Sequence, residues 1–276
     1  MRHALLALSA AALLSGCSSF RIAYNQADWY LVRQVSKYIC PTTKQRAALA
    51  RATESFLRWH RRHELPRYAR AFRRVASALD RPVKKKLLLE TYDLIDRARE
   101  RASRRMEPAV VALGLRLGDA QARCLASKLA TEQRKRLGEL GGEESYRRKH
   151  GEKVIDTFED WVGALSAEQR AVSRSMLDSL PTARAVAVAR LNKGLRLVGA
   201  LRARDLGKKR RWLAAWVTDP FALYTPRERA LMKRRHLRRR EQLWRLVRTL
   251  SATQRKRFKD RLLAFARDFE ALSRAR

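Results

Sequence analysis

Four times along this chain a hydroxyl residue is followed three positions later by Gln or Glu and then by Arg: Thr42-x-x-Gln45-Arg46, Ser166-x-x-Gln169-Arg170, Thr225-x-x-Glu228-Arg229 and Ser251-x-x-Gln254-Arg255. In such a capping box the hydroxyl accepts from a free backbone N–H of a helix's first turn, and the amide or carboxylate reaches back to the cap's own N–H. Four helix starts are therefore written into the chain. The 276 residues hold only eleven Gly and seven Pro, so breaks are few and helices run long. The spacing between copies is irregular, which excludes a solenoid period. The expected fold is all-α, an elongated multi-helix bundle-like array of about eight to eleven helices.

Periodicity fills in the elements. Trp29, Val32, Val35 and Ile39 recur near helical spacing, and we expect Tyr24, Trp29 and Tyr30 to pack against later helices, with a head-group location as the alternative. A helix from Thr42 through Leu49, Phe56 and Trp59 should break near Glu64 to Pro66, because Pro66 lacks an N–H and disfavours helix at Leu65. Asp80-Arg81-Pro82 reads as a cap with a first-turn proline, ahead of a stripe at Leu87, Thr91, Leu94 and Ala98. Pro108 should begin or kink the next segment, a helix carrying Cys124 should start after Gly118, and Gly138, Gly141 and Gly142 mark a turn. Val154, Phe158, Trp161 and Leu165 form a core stripe. After Pro181, apolar positions at Val188, Leu191, Leu195 and Val198 suggest one long helical stretch ending with Trp212 and Trp216 before Asp219-Pro220, in which close contacts would justify Gly194, Gly199 and Gly207.

The N-terminus gives an address. Arg2 precedes a short apolar run from Ala4 to Leu14, too short for the ~20 residues a transmembrane helix needs, and Leu14-Ser15-Gly16-Cys17 places small residues before a cysteine. This arrangement resembles the export signal and lipobox of bacterial lipoproteins. The resemblance implies removal of residues 1–16, a diacylglycerol thioether on Cys17, and a single α-helical periplasmic domain over 17–276. Ser18 is a residue type that, in enterobacterial lipoproteins, permits transfer to the outer membrane. The expected location is the periplasmic face of the envelope, lipid-anchored, at the outer membrane.

Cysteine usage fits that compartment. With Cys17 taken by lipid, Cys40 and Cys124 are left as a candidate disulfide in an oxidising periplasm, or as two independent buried thiols.

Charge sets the partners. Against 27 acids stand 63 Lys and Arg, a formal net charge of +36. In a cytosolic chain this would suggest nucleic acid. Behind an export signal the available anions are lipid head groups, lipopolysaccharide phosphates, cell-wall carboxylates and acidic proteins, and nucleic acid is disfavoured. Residues 225–261 concentrate the charge, with fifteen Lys or Arg against three acids, and Leu237, Leu243, Trp244, Val247 and Leu250 mark an apolar side. Arg234, Arg235, Arg238, Arg239 and Arg240 are the candidate anion-binding residues, since guanidinium forks phosphate and carboxylate. The alternative is a solvated outer face over a packed seam.

Tyr24-Asn25, Asp28-Trp29, the Thr42-x-x-Gln45 cap and Trp59-His60 with Glu64-Leu65-Pro66-Arg67-Tyr68 together resemble a group of proteobacterial helical lipoproteins of unknown function. The resemblance implies location and fold and transfers no active site. Leu165-Ser166-x-x-Gln169 and Leu250-Ser251-x-x-Gln254 also resemble the Leu-Thr-x-x-Gln motifs of Spy/CpxP-type periplasmic chaperones.

Chemistry is sparse. His60, His63 and Glu64 are metal-ligand types, but two adjacent arginines repel a cation and the order is not H-E-x-x-H. There is no phosphate-binding glycine loop and no G-x-S-x-G elbow. We expect no catalytic residue, no metal and no cofactor. The expected function is a non-enzymatic envelope protein presenting a basic helical surface to an anionic partner. A chaperone-like cradle for unfolded or outer-membrane proteins is the alternative, and a cell-wall or lipid hydrolase a more distant one.

Overall fold

In the computed structural model residues 20–139, 143–178 and 182–275 are described, and Cys17, Gly141, Gly142 and Pro181 lie outside them. The described residues are helices and short connections. After a helical lead-in at residues 20–25 come α1 (Ala27–Ile39), α2 (Thr43–His63), α3 (Leu65–Ala78), α4 (Lys85–Leu115), α5 (Asp119–Glu139) and α6 (Glu143–Val162). They are followed by α7 (Ala167–Asp178), α8 (Ala183–Leu201), α9 (Leu206–Thr218), α10 (Pro226–Val247) and α11 (Ala252–Arg274). The architecture is an all-α array.

All four capping boxes form. The Gln45, Glu228 and Gln254 backbone N–H groups donate to Thr42, Thr225 and Ser251, and the partner side chains reach back. At Ser166 and Gln169 the two reciprocal bonds are 3.2 and 3.0 Å. The break between α2 and α3 falls at Glu64, with Pro66 in the first turn of α3.

Three expected helix boundaries move. Asp80 caps nothing: its carboxylate reaches Lys259 of α11 at 2.6 and 2.8 Å, Val83 packs beneath α3, and α4 starts only at Lys85. Pro108 neither begins nor ends an element, because α4 runs through it to Leu115. It is exposed, so the carbonyl its missing N–H leaves unpaired is available to water. The expected long stretch after Pro181 is two helices, α8 and α9, separated where Asp205 accepts from Lys208 N at 2.9 Å and starts a new one.

Packing joins elements distant in sequence. Helix α11 lies along α3, α9 along α4, and α8 along α5, while α1 packs on α2 and α5. One core gathers Val111, Leu125, Leu197, Val198, Leu201 and Leu213, with Ile39 alongside. A second joins Leu65 and Ala69 to Ala266, Phe269 and Leu272, ringed by Phe20, Tyr24, Tyr68, Phe72 and Phe265. Phe72, Trp161 and Phe258 carry this core on into two more, around Leu79 with Leu262, and Ile155 with Leu165 and Leu250. Burying a leucine at such a site stabilises the fold by roughly 1.5–3 kcal/mol relative to leaving it in water.

The α8 stripe has a different phase from the one its large residues suggest. Val188 and Leu195 are exposed, whereas Val186, Ala187, Ala189, Ala200 and Leu201 are buried. Close approach sets the phase: a Cβ on Gly194 would lie 2.9 Å from Leu129 Cδ1 of α5, and on the same side Leu197, Val198 and Leu201 pack into the core with Leu125. Lys209 is buried at the C-terminal end of α4, donating to the Leu117 carbonyl just past the helix at 2.9 Å and to its last carbonyl, Leu115 O, at 3.5 Å, where a cation suits the helix end.

Cys40 and Cys124 are joined, with Cα atoms 6.2 Å apart, inside the range a disulfide requires. The bond ties the end of α1 to α5. Cys40 ends α1 in the left-handed conformation, φ 44°, while its N–H donates to Ser36 O at 3.0 Å. With that end fixed, α1 turns Val32, Ser36 and Ile39 inward. Trp29 and Tyr30, expected in the core, are 59% and 53% exposed; Tyr24 does reach the core, in the second cluster.

Candidate functional site

Two sites collect the residues that the sequence singles out. The first lies where the lead-in, α2, α3 and α4 meet. Glu64 is fully buried and holds two guanidinium groups. Arg101 of α4 donates through Nε to Oε1 at 2.7 Å and through Nη2 to Oε2 at 2.8 Å, and Arg67 Nη1 donates to Oε1 at 2.9 Å. Burial pushes the Glu64 carboxyl up, but the hydrogen bonds and charge of Arg101 and Arg67 outweigh it and hold the group below its ordinary range. It is therefore ionised and saturated.

His60 lies one turn earlier, its Nδ1 2.7 Å from the Tyr24 hydroxyl. Burial pushes the Tyr24 hydroxyl up to about 12 and the His60 imidazole down, so a neutral phenol meets a neutral ring whose tautomer sets which of the two donates. Arg61 covers the Tyr24 ring at 5.2 Å and donates to Asn25 Oδ1 at 3.0 Å. The His63 ring stacks on Trp59, with Nδ1 2.9 Å from the Trp59 carbonyl. The motif residues thus do meet in space. Each polar atom named here is engaged by another protein group, so what the arrangement does chemically is clamp four helical segments together. Among the described residues no group of three or more His, Cys, Asp or Glu is placed to hold a metal ion.

The second site is the basic segment, α10, which is pinned at both ends. At its start Glu228 accepts from Arg196 Nη1 at 2.6 Å and Asn192 Nδ2 at 2.8 Å of α8. Burial raises the Glu228 carboxyl, but these bonds and the arginine charge prevail and bring it down to about 2. At its other end Gln242 and Leu246 are buried. Between the pins, two ion pairs bridge α10 to α4: Arg240 to Asp96 at 2.5 Å and Lys85 to Glu241 at 3.1 Å. The Arg240 guanidinium also lies 4.7 Å from the centre of the Tyr92 ring.

These bridges leave a groove of about 660 Å³ between the two helices. Its walls carry Lys85, Lys233, Arg234 and Arg238 over an apolar floor of Leu88, Leu89, Leu237 and Trp244. Leu237, expected on a packed side, is 64% exposed, because the residue one turn from the Arg240 bridge faces the gap and not α4.

The structure separates the five candidate arginines. Arg234 and Arg238 line the groove, and neither makes an ion pair among the described residues. Arg239 faces solvent. Arg235 is half-buried and lies near Tyr224, whose hydroxyl burial raises and Arg190 and Arg235 oppose. Arg240 is committed to Asp96 and Tyr92. The opposite wall escaped the sequence reading, although Lys84 to Leu89 signals it as three lysines followed by three leucines.

No described helix is long and apolar enough to cross a membrane. An all-helical chain with a saturated buried carboxylate and a cationic groove defines a class by structure, not by reaction. Residues 37–229 match the model of a Family of unknown function (DUF6279), and the chain belongs to that family. The matched residues take in the first capping box, Glu64 and Glu228, and end before Arg234. Comparison with curated proteins and with solved structures gives no match.

Proposed function

We propose that the chain is a bacterial lipoprotein, held by acyl chains on Cys17 at the periplasmic face of the outer membrane, which offers the α4–α10 groove to an anionic envelope partner. The observation that carries this reading is the pairing of exposed Arg234 and Arg238 with Lys233 and Lys85 around an apolar floor. Glu241 is the one acid in that lining, and Lys85 already neutralises it. Such a rim favours phosphate or carboxylate, with guanidinium giving two parallel hydrogen bonds. The role is binding rather than catalysis, because the motif residues best suited to proton transfer, His60 and Glu64, are engaged internally.

The test titrates the full chain, with Cys17→Ser to remove acylation, against lipopolysaccharide at rising salt. Binding should weaken steeply as the screening length falls from ~10 Å at 0.1 M to ~3 Å at 1 M. Arg234→Glu with Arg238→Glu should reduce it at least tenfold, whereas salt-insensitive binding or an unchanged double variant would overturn the reading. Mass spectrometry of the mature chain tests the anchor separately.

The exposed Leu89 and Leu237 favour a second reading, a cradle for unfolded outer-membrane proteins akin to the Spy/CpxP chaperones. It requires that the full chain suppress aggregation of a denatured substrate and that Leu237→Glu abolish this.

A further inference from the structure

Helix α1 carries the wrong surface for a helix facing water. Its inward side is fixed by Val32, Ser36 and Ile39 and by the bond from Cys40 to Cys124. On the outward side Tyr30, Leu31, Val35 and Tyr38, at i, i+1, i+5 and i+8, are each more than a third exposed. An outward helix face in a soluble protein is ordinarily polar. The only acid in α1 is Asp28, whose carboxylate is engaged by the Trp29 N–H at 2.7 Å.

Cations flank this face. The Arg33 guanidinium lies 5.1 Å from the centre of the exposed Trp29 ring, and Lys37 follows one turn later. Beside them a groove of about 640 Å³ runs between α1 and α2, lined by Trp29, Val32, Arg33, Arg46 and Arg51. Of its two acids, Asp28 serves the α1 start and Glu54 pairs with Arg58. The lining is therefore net cationic next to an apolar, aromatic ridge. Tyr30 and Tyr38 beside Leu31 and Val35, with Lys37 and Arg33 along one edge, is the composition of a helix lying in a bilayer interface.

We infer that the outward face of α1 lies in the interfacial layer of an anionic lipid bilayer. Tyr30, Leu31, Val35 and Tyr38 enter the acyl boundary, and Arg33, Arg46 and Arg51 meet lipid phosphate. Charge complementarity selects this occupant over a second copy of a chain whose net charge is +36. Chain length agrees: Ala27 is ten residues after Cys17, a tether of at most ~35 Å, so acyl chains there would keep α1 at the surface. The inference rests on the membrane reading for which bilayer is met. It does not rest on acylation, because the ridge itself binds.

The experiment measures co-sedimentation of the full Cys17→Ser chain with vesicles of phosphatidylglycerol and phosphatidylethanolamine. Leu31→Glu with Val35→Glu should lower partition roughly tenfold or more. Arg33→Ala with Arg46→Ala and Arg51→Ala should lower it and flatten its salt dependence, while Arg227→Glu with Lys256→Glu, exposed and outside both grooves, should leave it within about twofold. All these positions are exposed, so the variants should keep the parent's circular dichroism and melting temperature. Partition unchanged by Leu31→Glu with Val35→Glu overturns the inference. If those substitutions instead convert a dimer to a monomer in sedimentation equilibrium without altering partition, the face belongs to a second copy. An unmodified thiol at Cys17 in the mature chain would defeat the anchor reading and leave this measurement standing.

Discussion

Gln169 and Gln254, 85 residues apart, hold each other by reciprocal amide hydrogen bonds, each Nε2 donating to the other's Oε1 at 2.9 Å. Both are buried, and both also complete a capping box. Their surroundings repeat: Leu165-Ser166-Ala167 and Leu250-Ser251-Ala252 precede them, and Arg170 and Arg255 each donate to the carbonyl of that leucine. The α6–α7 and α10–α11 junctions are thus matching corners set face to face. Gln254→Ala should destabilise the fold by about 1–3 kcal/mol, since it strands a buried amide. Gln169→Ala should cost as much, and the double variant clearly less than the sum. Urea unfolding of the four proteins measures the coupling, and simple additivity would refute it.

Glu64→Ala leaves the Arg101 and Arg67 guanidiniums facing an apolar junction with no carboxylate. Both guanidiniums are more than a third exposed and can turn to water, so the expected loss is about 1–3 kcal/mol. Arg101→Met should cost more, roughly 3–5 kcal/mol, because it leaves the fully buried Glu64 carboxylate with Arg67 alone. Equal losses in thermal unfolding would contradict this ordering.

Two glycines in packed helices should respond in opposite senses. A Cβ on Gly114 would lie 2.6 Å from Leu213 Cδ1, and Leu213 is buried and cannot swing away. Gly114→Ala should therefore destabilise by about 1–3 kcal/mol. Nothing lies within 4 Å of a Cβ on Gly199, and there alanine should add up to ~1 kcal/mol through helix propensity. Differential scanning calorimetry of both variants decides the matter.

Acid should weaken the fold in two steps. The His60 imidazole is held below its ordinary value of 6.5 by burial, with the Glu64 charge opposing. The unfolded chain therefore takes up this proton first, and the contribution is present above about 6.5 and lost as pH falls below it. Glu228, brought from 4.5 to about 2, contributes roughly 3 kcal/mol above the ordinary carboxylate range, and this is lost as pH falls through about 2. Asp268 runs the other way, since burial raises it. Glu228→Gln should flatten the lower limb of a stability profile from pH 7 to 2. An unchanged limb would show that the carboxylate is not what titrates.

The Cys40–Cys124 bond closes a loop with a sequence separation of 84. In the chain-entropy model such a loop is worth roughly 4–5 kcal/mol. Reduction, or Cys40→Ser with Cys124→Ser, should lower the unfolding midpoint accordingly, with the larger amide-exchange loss in α1.

What the sequence revealed follows from how each signal arises. The capping boxes and the Pro66 break are local chemistry, so both were legible. The burial of α8 was legible only in part: Val198 of the expected stripe is buried, but Val188 and Leu195 drew attention to the outer face, and the phase is set by Leu129 closing on Gly194 from a distant helix. Trp29 misled for a related reason: an aromatic at helical spacing reads as core wherever it points. At the candidate groove the arginines announced themselves, but their sorting into rim and bridge depends on Asp96 and Tyr92, more than 130 residues earlier. Glu64 is a charge whose burial follows from Arg101 on another helix.

The Arg73–Glu270 pair joins residues 197 apart, and it flanks the ring cluster that α11 completes. Phe265 and Phe269 are translated long after Tyr24, Tyr68 and Phe72, so the stretch around residues 265–269 must leave the ribosome before the earlier rings can settle. Until then the early helices stay half-assembled, with the apolar face of α3 still open to water.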